Sequence, residues 1–352
     1  MPKRTSSRPT VSRKKQHVEL TLAREVGFRE KTTGLEQWEL VHNALPELDF
    51  SDVDTSSTFL GKSLSLPFMI SCMTGGYADA LKINRHLAEA CEEFRIAMGV
   101  GSQRQALEDV RYHRTFSVVR EVAPSIPIIG NLGAAEVARL KNTDGPRRLV
   151  DLIRADGFAV HLNPLQELLQ PEGNPALRGV LDGLRMLIRD LPVPLIVKEV
   201  GAGLSSAVVR RLLEIGVRYI DVAGAGGTSW AGVEIIRGKQ TRTANSIFWD
   251  WGIPTATAVR AAAALKGNPA TFTLIASGGL ATGMEAAKCI ALGADLAAAA
   301  RPLLKALDQG GPKRLRQVLA TWGFQLRGAM FLTGSRTIAD LQHAPIKHAG
   351  SS

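Results

Sequence analysis

Residues able to do chemistry crowd most densely into His161-Leu162-Asn163-Pro164-Leu165-Gln166-Glu167. One carboxylate among amides suits Mg²⁺, which takes oxygen ligands and usually keeps waters and substrate phosphate oxygens. A single His with no Cys is poor zinc chemistry. The plainer reading, with Asn163 capping a turn and Glu167 a solvated helix residue, stays open beside the metal one. Ser277-Gly278-Gly279 and Ala300-Arg301 are turns whose unpaired backbone N–H groups can cradle a phosphate. Arg13-Lys14 and His17 could grip a diphosphate, although a basic run by itself reads as a disordered tail. His42, His86, His113, His343 and His348 have no partner pattern and read as structural or exposed.

These residues must be held by something, and the chain repeats one unit that would hold them. Short apolar runs end again and again in Gly, Asn or Ser: Pro67–Cys72, Ile96–Val100, Ile126–Gly130, Gly157–Leu162, Pro194–Val200, Tyr219–Ala223, Thr271–Ala276 and Asp295–Ala300. Between them lie segments with helical spacing, such as Ala80–Phe94, Ser205–Ile215 and Gly283–Leu292. Gly99, Gly216 and Gly293 read as helix stops or strand-entry turns. The runs are continuously hydrophobic, as in a parallel sheet covered by helices. Eight such units predict a closed (β/α)₈ barrel in preference to an open doubly wound sheet. Residues 1–60 form a basic arm and extension expected to cover the mouth, 61–340 the barrel, and 341–352 a tail. Residues 226–252 interrupt the sixth unit with a polar, Trp-bearing loop, and this insertion, around Thr228–Trp251, is a candidate lid.

In a barrel the strand C-termini converge on the ligand, with a phosphate commonly held after the seventh and eighth strands. That is where Ser277-Gly278-Gly279 and Ala300-Arg301 fall. Lys198 sits on the fifth strand within Leu195-Ile196-Val197-Lys198-Glu199-Val200. A lysine there is costly to bury unless it meets an anion. It can form a Schiff base, pair with Glu199, or set a cation beside the N1–C2=O edge of a flavin.

Composition narrows the function classes. The 352 residues carry 43 Lys and Arg against 33 Asp and Glu, a net charge of +10, with 45% hydrophobic residues. That excludes wholesale disorder. Lys3, Arg4, Arg8, Arg13, Lys14 and Lys15 precede the first acid, Glu19, so the surplus is concentrated in an arm suited to an anionic partner. The arm has no aromatic residue to stack on bases, which argues against nucleic acid. Cys72, Cys91 and Cys289 are scattered and odd in number, so a reducing cytoplasm is expected. No signal peptide and no bilayer span is read from the chain.

The motifs together resemble those of the type 2 isopentenyl diphosphate isomerases, FMN-dependent enzymes interconverting isopentenyl and dimethylallyl diphosphate. The matching pieces are Arg13-Lys14-x-x-His17, Met73-Thr74-Gly75-Gly76, Gly101-Ser102-Gln103-Arg104, Asn131-Leu132-Gly133 and His161 to Glu167. Lys198-Glu199-Val200-Gly201, Asp221 to Trp230 and Ser277-Gly278-Gly279 complete the set in family order. The resemblance implies FMN contacts at Cys72, Met73, Thr74, Ser102, Asn131, Lys198, Thr228, Gly278, Gly279, Leu280, Ala300 and Arg301. It implies substrate contacts at Arg13, Lys14, His17, Ser102, Gln103, Arg104, Asn163 and Gln166, with Gln166 and His161 nearest the chemistry. Glu167 falls on its Mg²⁺ ligand.

The resemblance further implies that FMN works in its reduced form, kept so by NADPH or NADH, that the lid excludes water, and that the chain forms a homotetramer or larger assembly. Two positions depart from the pattern: Ala281 stands where Arg is common, and Glu136 where Gln is frequent. Two rivals remain. An FMN-dependent 2-hydroxy-acid oxidase would need a His base beside a carboxylate-binding Arg, and no strand end offers His followed closely by Arg. A basic RNA-binding protein would leave the Gly-rich mouth unexplained.

Overall fold

The computed structural model of the protein describes residues 8–238, 245–267 and 271–350. Eight parallel strands close into a barrel: Phe68–Ile70, Ala97–Gly99, Ile128–Gly133, Gly157–Leu162, Leu195–Glu199, Tyr219–Asp221, Thr273–Ser277 and Leu296–Ala299. The fourth strand matches its expected run, five others fall within theirs, and the third and seventh begin inside theirs and run past the end by three residues and one. Gly99 lies inside the second strand rather than stopping a helix. A Cβ there would sit 2.4 Å from Cys72 Sγ, so close strand packing explains that glycine. Gly216 and Gly293 do turn the chain, with φ of 99° and 105°.

The two-residue period of a strand decides what faces the barrel axis. Met69, Ala97, Ile129, Ala159, Ile196, Ile275, Leu296 and Ala298 pack together in one apolar cluster inside the barrel. Their immediate neighbours, among them Ile70, Met98, Val160, Val197 and Leu274, join the larger core beneath the helices. Two residues further along, the inward positions become Ser71, Asn131, His161, Lys198 and Ser277. The polar layer at the mouth therefore follows from strand parity, once the apolar layer beneath it is fixed.

The N-terminal extension divides between the two ends of the barrel. Ser57–Phe59 pairs with Lys62–Leu64 in a hairpin whose Phe59 and Leu64 join the interior cluster. That hairpin plugs the end opposite the mouth, so only part of residues 1–60 lies over the mouth as expected. Arg8–Ala23 is an α-helix, not the disordered tail that its charge run suggests by itself. Its C-terminal end is pinned by Arg301, whose Nε donates to the Thr21 carbonyl (2.8 Å) and Nη2 to that of Arg24 (2.9 Å). The tail beyond residue 341 is anchored too, with Ile346–His348 pairing antiparallel to Trp38–Leu40. No helix among the described residues is long and apolar enough to cross a membrane.

Candidate active site

A cavity of about 550 Å³ opens at the C-terminal end of the strands, a size suited to a cofactor or a small ligand. Its floor is the polar layer. Lys198 is buried, and its Nζ donates to the Glu199 carbonyl (2.5 Å) and lies 3.9 Å from Asp221 Oδ2. An ammonium has three donors, so capacity remains for an acceptor in the cavity. The Glu199 side chain is not its partner: that carboxylate accepts from the backbone N–H groups of Val200, Gly201, Ala202 and Gly203. Burial nevertheless pushes Glu199 up to about 7. Asp221 accepts from Ser277 Oγ (2.6 Å), and burial raises its pKa as well. Beside it, burial lifts the Cys72 thiol to about 11, so it stays an uncharged wall.

His161 stands on the fourth strand with Nδ1 2.9 Å from Asn131 Oδ1. Burial, then the charges of Lys198, Lys14 and Arg13, push its pKa down to about 3, so the ring is neutral. Gly278 and Gly279 take φ of 104° and 81° after the seventh strand, where a Cβ on Gly278 would lie 2.1 Å from the Gly224 carbonyl oxygen. Glycine is thus needed twice over, for the dihedral and for the close approach of the Gly224–Gly227 loop. The N–H groups of Gly279, Leu280 and Arg301 meet no backbone carbonyl among the described residues, leaving donors at the cavity edge.

The rim is made by helices Pro164–Leu169 and Trp230–Arg237 and by the N-terminal helix. Asn163 Nδ2 donates to Gln166 Oε1 (3.1 Å) and Glu167 Oε1 (3.0 Å), while the Asn174 N–H donates to Glu167 Oε2 (2.6 Å). Asn163 Oδ1 is buried without a partner among the described residues. Gln166 Nε2 donates to Glu234 Oε1 (2.9 Å), and His17 Nε2 lies 2.9 Å from the same oxygen. Lys14 Nζ enters the cavity and donates to the carbonyls of Gly75 (2.9 Å) and Ser102 (2.5 Å). Burial, and then neighbouring Arg13, lower it to about 7. Arg104 pairs with Glu108 (2.9 Å) and Glu136 (2.8 Å), so the unusual Glu136 holds an arginine.

Most of the expected site residues line this one cavity: Arg13, Lys14, His17, Cys72, Met73, Thr74, Ser102, Arg104, Asn131, His161, Asn163, Gln166, Glu167, Lys198, Thr228, Gly278, Gly279, Leu280, Ala300 and Arg301. Gln103 does not. It is fully buried, donating to the Leu149 carbonyl (3.0 Å) and accepting from the Asn131 N–H (3.0 Å), so it braces the third strand from behind. Thr74 Oγ1 is turned to Asn84, and the Arg301 side chain serves the N-terminal helix. Glu234 and Gln170 were not singled out as site residues in the sequence, and Trp230 entered only as the end of a matching run. A carboxylate within Ala231-Gly232-Val233-Glu234-Ile235-Ile236 carries the same signal as Lys198, a charge in an apolar run.

The candidate lid is tied down at its described ends: Ser229 Oγ donates to the Trp249 carbonyl (2.6 Å), and Trp249 Nε1 donates to that of Gly27 (2.8 Å). Its residues 239–244 lie outside the described residues, as do Lys3 and Arg4 of the arm.

The FMN-dependent dehydrogenase family model matches residues 9–124 and 159–348. The isopentenyl-diphosphate delta-isomerase of Chlorobaculum parvum is 50% identical over 97% of this chain and 98% of its own. That of Pseudescherichia vulneris is 46% identical over 96% and 97%. The chain belongs to the type 2 isopentenyl-diphosphate delta-isomerases, within the FMN-dependent dehydrogenase family. Solved structures share the fold at low identity. A mandelate oxidase with (S)-2-phenylpropionate has TM-score 0.67 at 17% identity, covering 95% of this chain and 94% of that one. A putative lactate oxidase of Pediococcus acidilactici has TM-score 0.68 at 14% identity, covering 96% and 94%.

The delta-isomerase site fits the cofactor that its family name carries. Free N–H donors at Gly279, Leu280 and Arg301 suit a phosphate, and the buried Lys198 ammonium suits an electron-rich ring. For Mg²⁺ the donors are hard oxygens: the Glu167 carboxylate, with the orphaned Asn163 Oδ1 beside it. Among the described residues no group of three His, Cys, Asp or Glu side chains could hold a metal unaided.

Proposed function

We propose that the protein interconverts isopentenyl diphosphate and dimethylallyl diphosphate, using FMN in its reduced form and Mg²⁺. What carries the reading is one juxtaposition: Arg13, Lys14 and His17 of the N-terminal helix line the same cavity as Lys198 and the Gly278-Gly279 turn. Anion handles thus face a flavin-sized cradle. Isomerisation adds a proton at C4 and removes one at C2, with no net oxidation. Its hard point is a state with tertiary carbocation character. Reduced FMN, when bound, supplies an electron-rich ring able to carry a proton and to face that charge.

The chain's own residues do the rest. Arg13 and Lys14 give charge-assisted hydrogen bonds to the diphosphate. Glu167 holds the Mg²⁺ that neutralises it, so that it does not depart as an allylic leaving group. Gln166, fixed by Asn163 and Glu234, orients the alkene end and sits where a proton can pass to the Glu234 carboxylate. Trp230 packs edge-on to His17 (5.3 Å between centroids), and with the stapled lid it excludes water that would trap the cation. NADPH or NADH would keep the flavin reduced, in the cytoplasm.

The 2-hydroxy-acid oxidase alternative draws on fold likeness alone. His161 is a neutral ring bonded to Asn131 rather than to a carboxylate, a poor base for that chemistry. The test is turnover: purified protein with FMN, dithionite and Mg²⁺ converts isopentenyl diphosphate to an acid-labile allylic diphosphate. Absence of product with intact flavin binding, or flavin reduction by lactate, would overturn the proposal.

A further inference from the structure

Helix Trp230–Arg237 carries two charged side chains three residues apart, Glu234 and Arg237, and both are buried or nearly so. A carboxylate with no exposure is ordinarily driven to its neutral form. Glu234 is held the other way: burial raises its pKa, but the hydrogen bond and charge of His17, the Gln166 amide and Arg237 together outweigh it and bring it below the ordinary value. The division of labour between its two oxygens is plain. Oε1 faces the site, 2.9 Å from both Gln166 Nε2 and His17 Nε2. Oε2 faces away and accepts from Arg237 Nε at 2.8 Å.

Arg237 is itself held. Its outer edge forms a two-pronged pair with Glu172, Nη1 to Oε1 at 2.7 Å and Nη2 to Oε2 at 2.6 Å. Such forks fix orientation as well as distance. Glu172 lies in the turn after Pro164–Leu169, the same turn whose Asn174 N–H donates to Glu167. The remaining polar groups around Glu234 are Gln170, whose amide can place nitrogen 3.3 Å from Oε1 and oxygen 2.8 Å from Arg13 Nη1, and Arg13 itself.

We infer that Arg237 is a positioning residue of the reaction: clamped by Glu172, it holds Glu234 Oε2 from behind so that Oε1 stays turned to Gln166 at the rim of the cavity. The inference rests on the isomerase reading and goes beyond it, by giving the lid helix a part in setting the charge at the site. Arg237 touches no reacting atom in this account. It acts only through Glu234.

The test is the pH profile of kcat/KM for isopentenyl diphosphate in the wild type, Arg237→Met, Arg237→Lys and Glu172→Gln. Without its cation Glu234 takes up a proton more readily, so the acid limb for Arg237→Met moves to higher pH and activity is lost at a fixed pH on that limb. Arg237→Lys keeps the charge but not the fork, and restores the limb while leaving the plateau lower. Glu172→Gln lowers the plateau without raising the limb. A merely structural role would depress all pH values alike. An Arg237→Met limb coinciding with the wild type overturns the inference.

A second readout needs no turnover, so that failure of the isomerase reading stays distinguishable. Infrared difference spectra between pH 5 and 8 should give Arg237→Met a protonated-carboxyl band that is missing from the wild type and from Arg237→Met combined with Glu234→Gln. If that band is absent from Arg237→Met, the inference fails whatever the substrate.

Discussion

Lys14 gives the sharpest prediction, because its ordinary ammonium has been moved into a place that does not favour charge. Without ligand its pKa is lowered from 10.5 to about 7, by burial first and by Arg13 second. Above pH 7 much of the population is therefore neutral. A diphosphate beside Nζ favours the charged form, so binding at pH 8 should draw in a proton. The sign follows: affinity is greatest below about pH 7 and weakens as pH rises, until the bound-state pKa is passed. Full recovery of the shift would be worth about 5 kcal/mol at 1.36 kcal/mol per pH unit. The side chain is only partly shielded, so on the order of 2–3 kcal/mol is the realistic gain, as for a hydrogen bond to a charged group. Calorimetry of inorganic pyrophosphate binding with Mg²⁺ at pH 8, in buffers of different ionisation enthalpy, should give an uptake approaching one proton. The same experiment on Lys14→Met should lose most of it and raise KM at least tenfold. Unchanged uptake in that variant would refute the reasoning.

Three further perturbations test separate parts of the account. Gly278→Ala should fold poorly or lose flavin, because the new Cβ would sit 2.1 Å from the Gly224 carbonyl oxygen at a φ of 104°; bound flavin per protein measures it. Gln103→Leu should leave the Leu149 carbonyl and the Asn131 N–H unsatisfied, costing about 1–3 kcal/mol for each group and lowering Tm, with KM for substrate nearly unchanged in whatever folds. Glu167→Gln should weaken Mn²⁺ binding in the presence of pyrophosphate, read by electron paramagnetic resonance, and raise the Mg²⁺ concentration needed for half-maximal rate. Equal metal titrations in the two proteins would remove Glu167 from the metal site.

Much of this is legible in the sequence itself, for identifiable reasons. Parallel strands buried on both faces are written as apolar runs, so Gly157–Leu162 could be delimited from sequence. A charge within such a run, as at Lys198, marks the mouth. Other features depend on where side chains turn after the backbone is built. Gln103 stands in the same motif as Ser102 and Arg104, yet the turn before the helix Arg104–Glu108 sends it behind the third strand while its neighbours face the cavity. The arm reads as disordered because its own composition offers no core. Its helix is held by tertiary partners, Arg301 at one end and the cavity wall around Lys14 along its length. Glu234 was missed because the partners that turn it to the site, His17 and Gln166, come from the N-terminal helix and the helix after the fourth strand, far from it in sequence; only Arg237 is local.

The most direct test of the central claim follows hydrogen at the substrate itself. Protein freed of flavin and then reloaded with FMN is reduced, given Mg²⁺ and isopentenyl diphosphate in D₂O, and observed by NMR. The account predicts deuterium entering the methyl group derived from C4 and exchanging at C2, only when FMN is present and reduced. Exchange at the same rate in flavin-free protein, or none in reduced holoprotein, would contradict it.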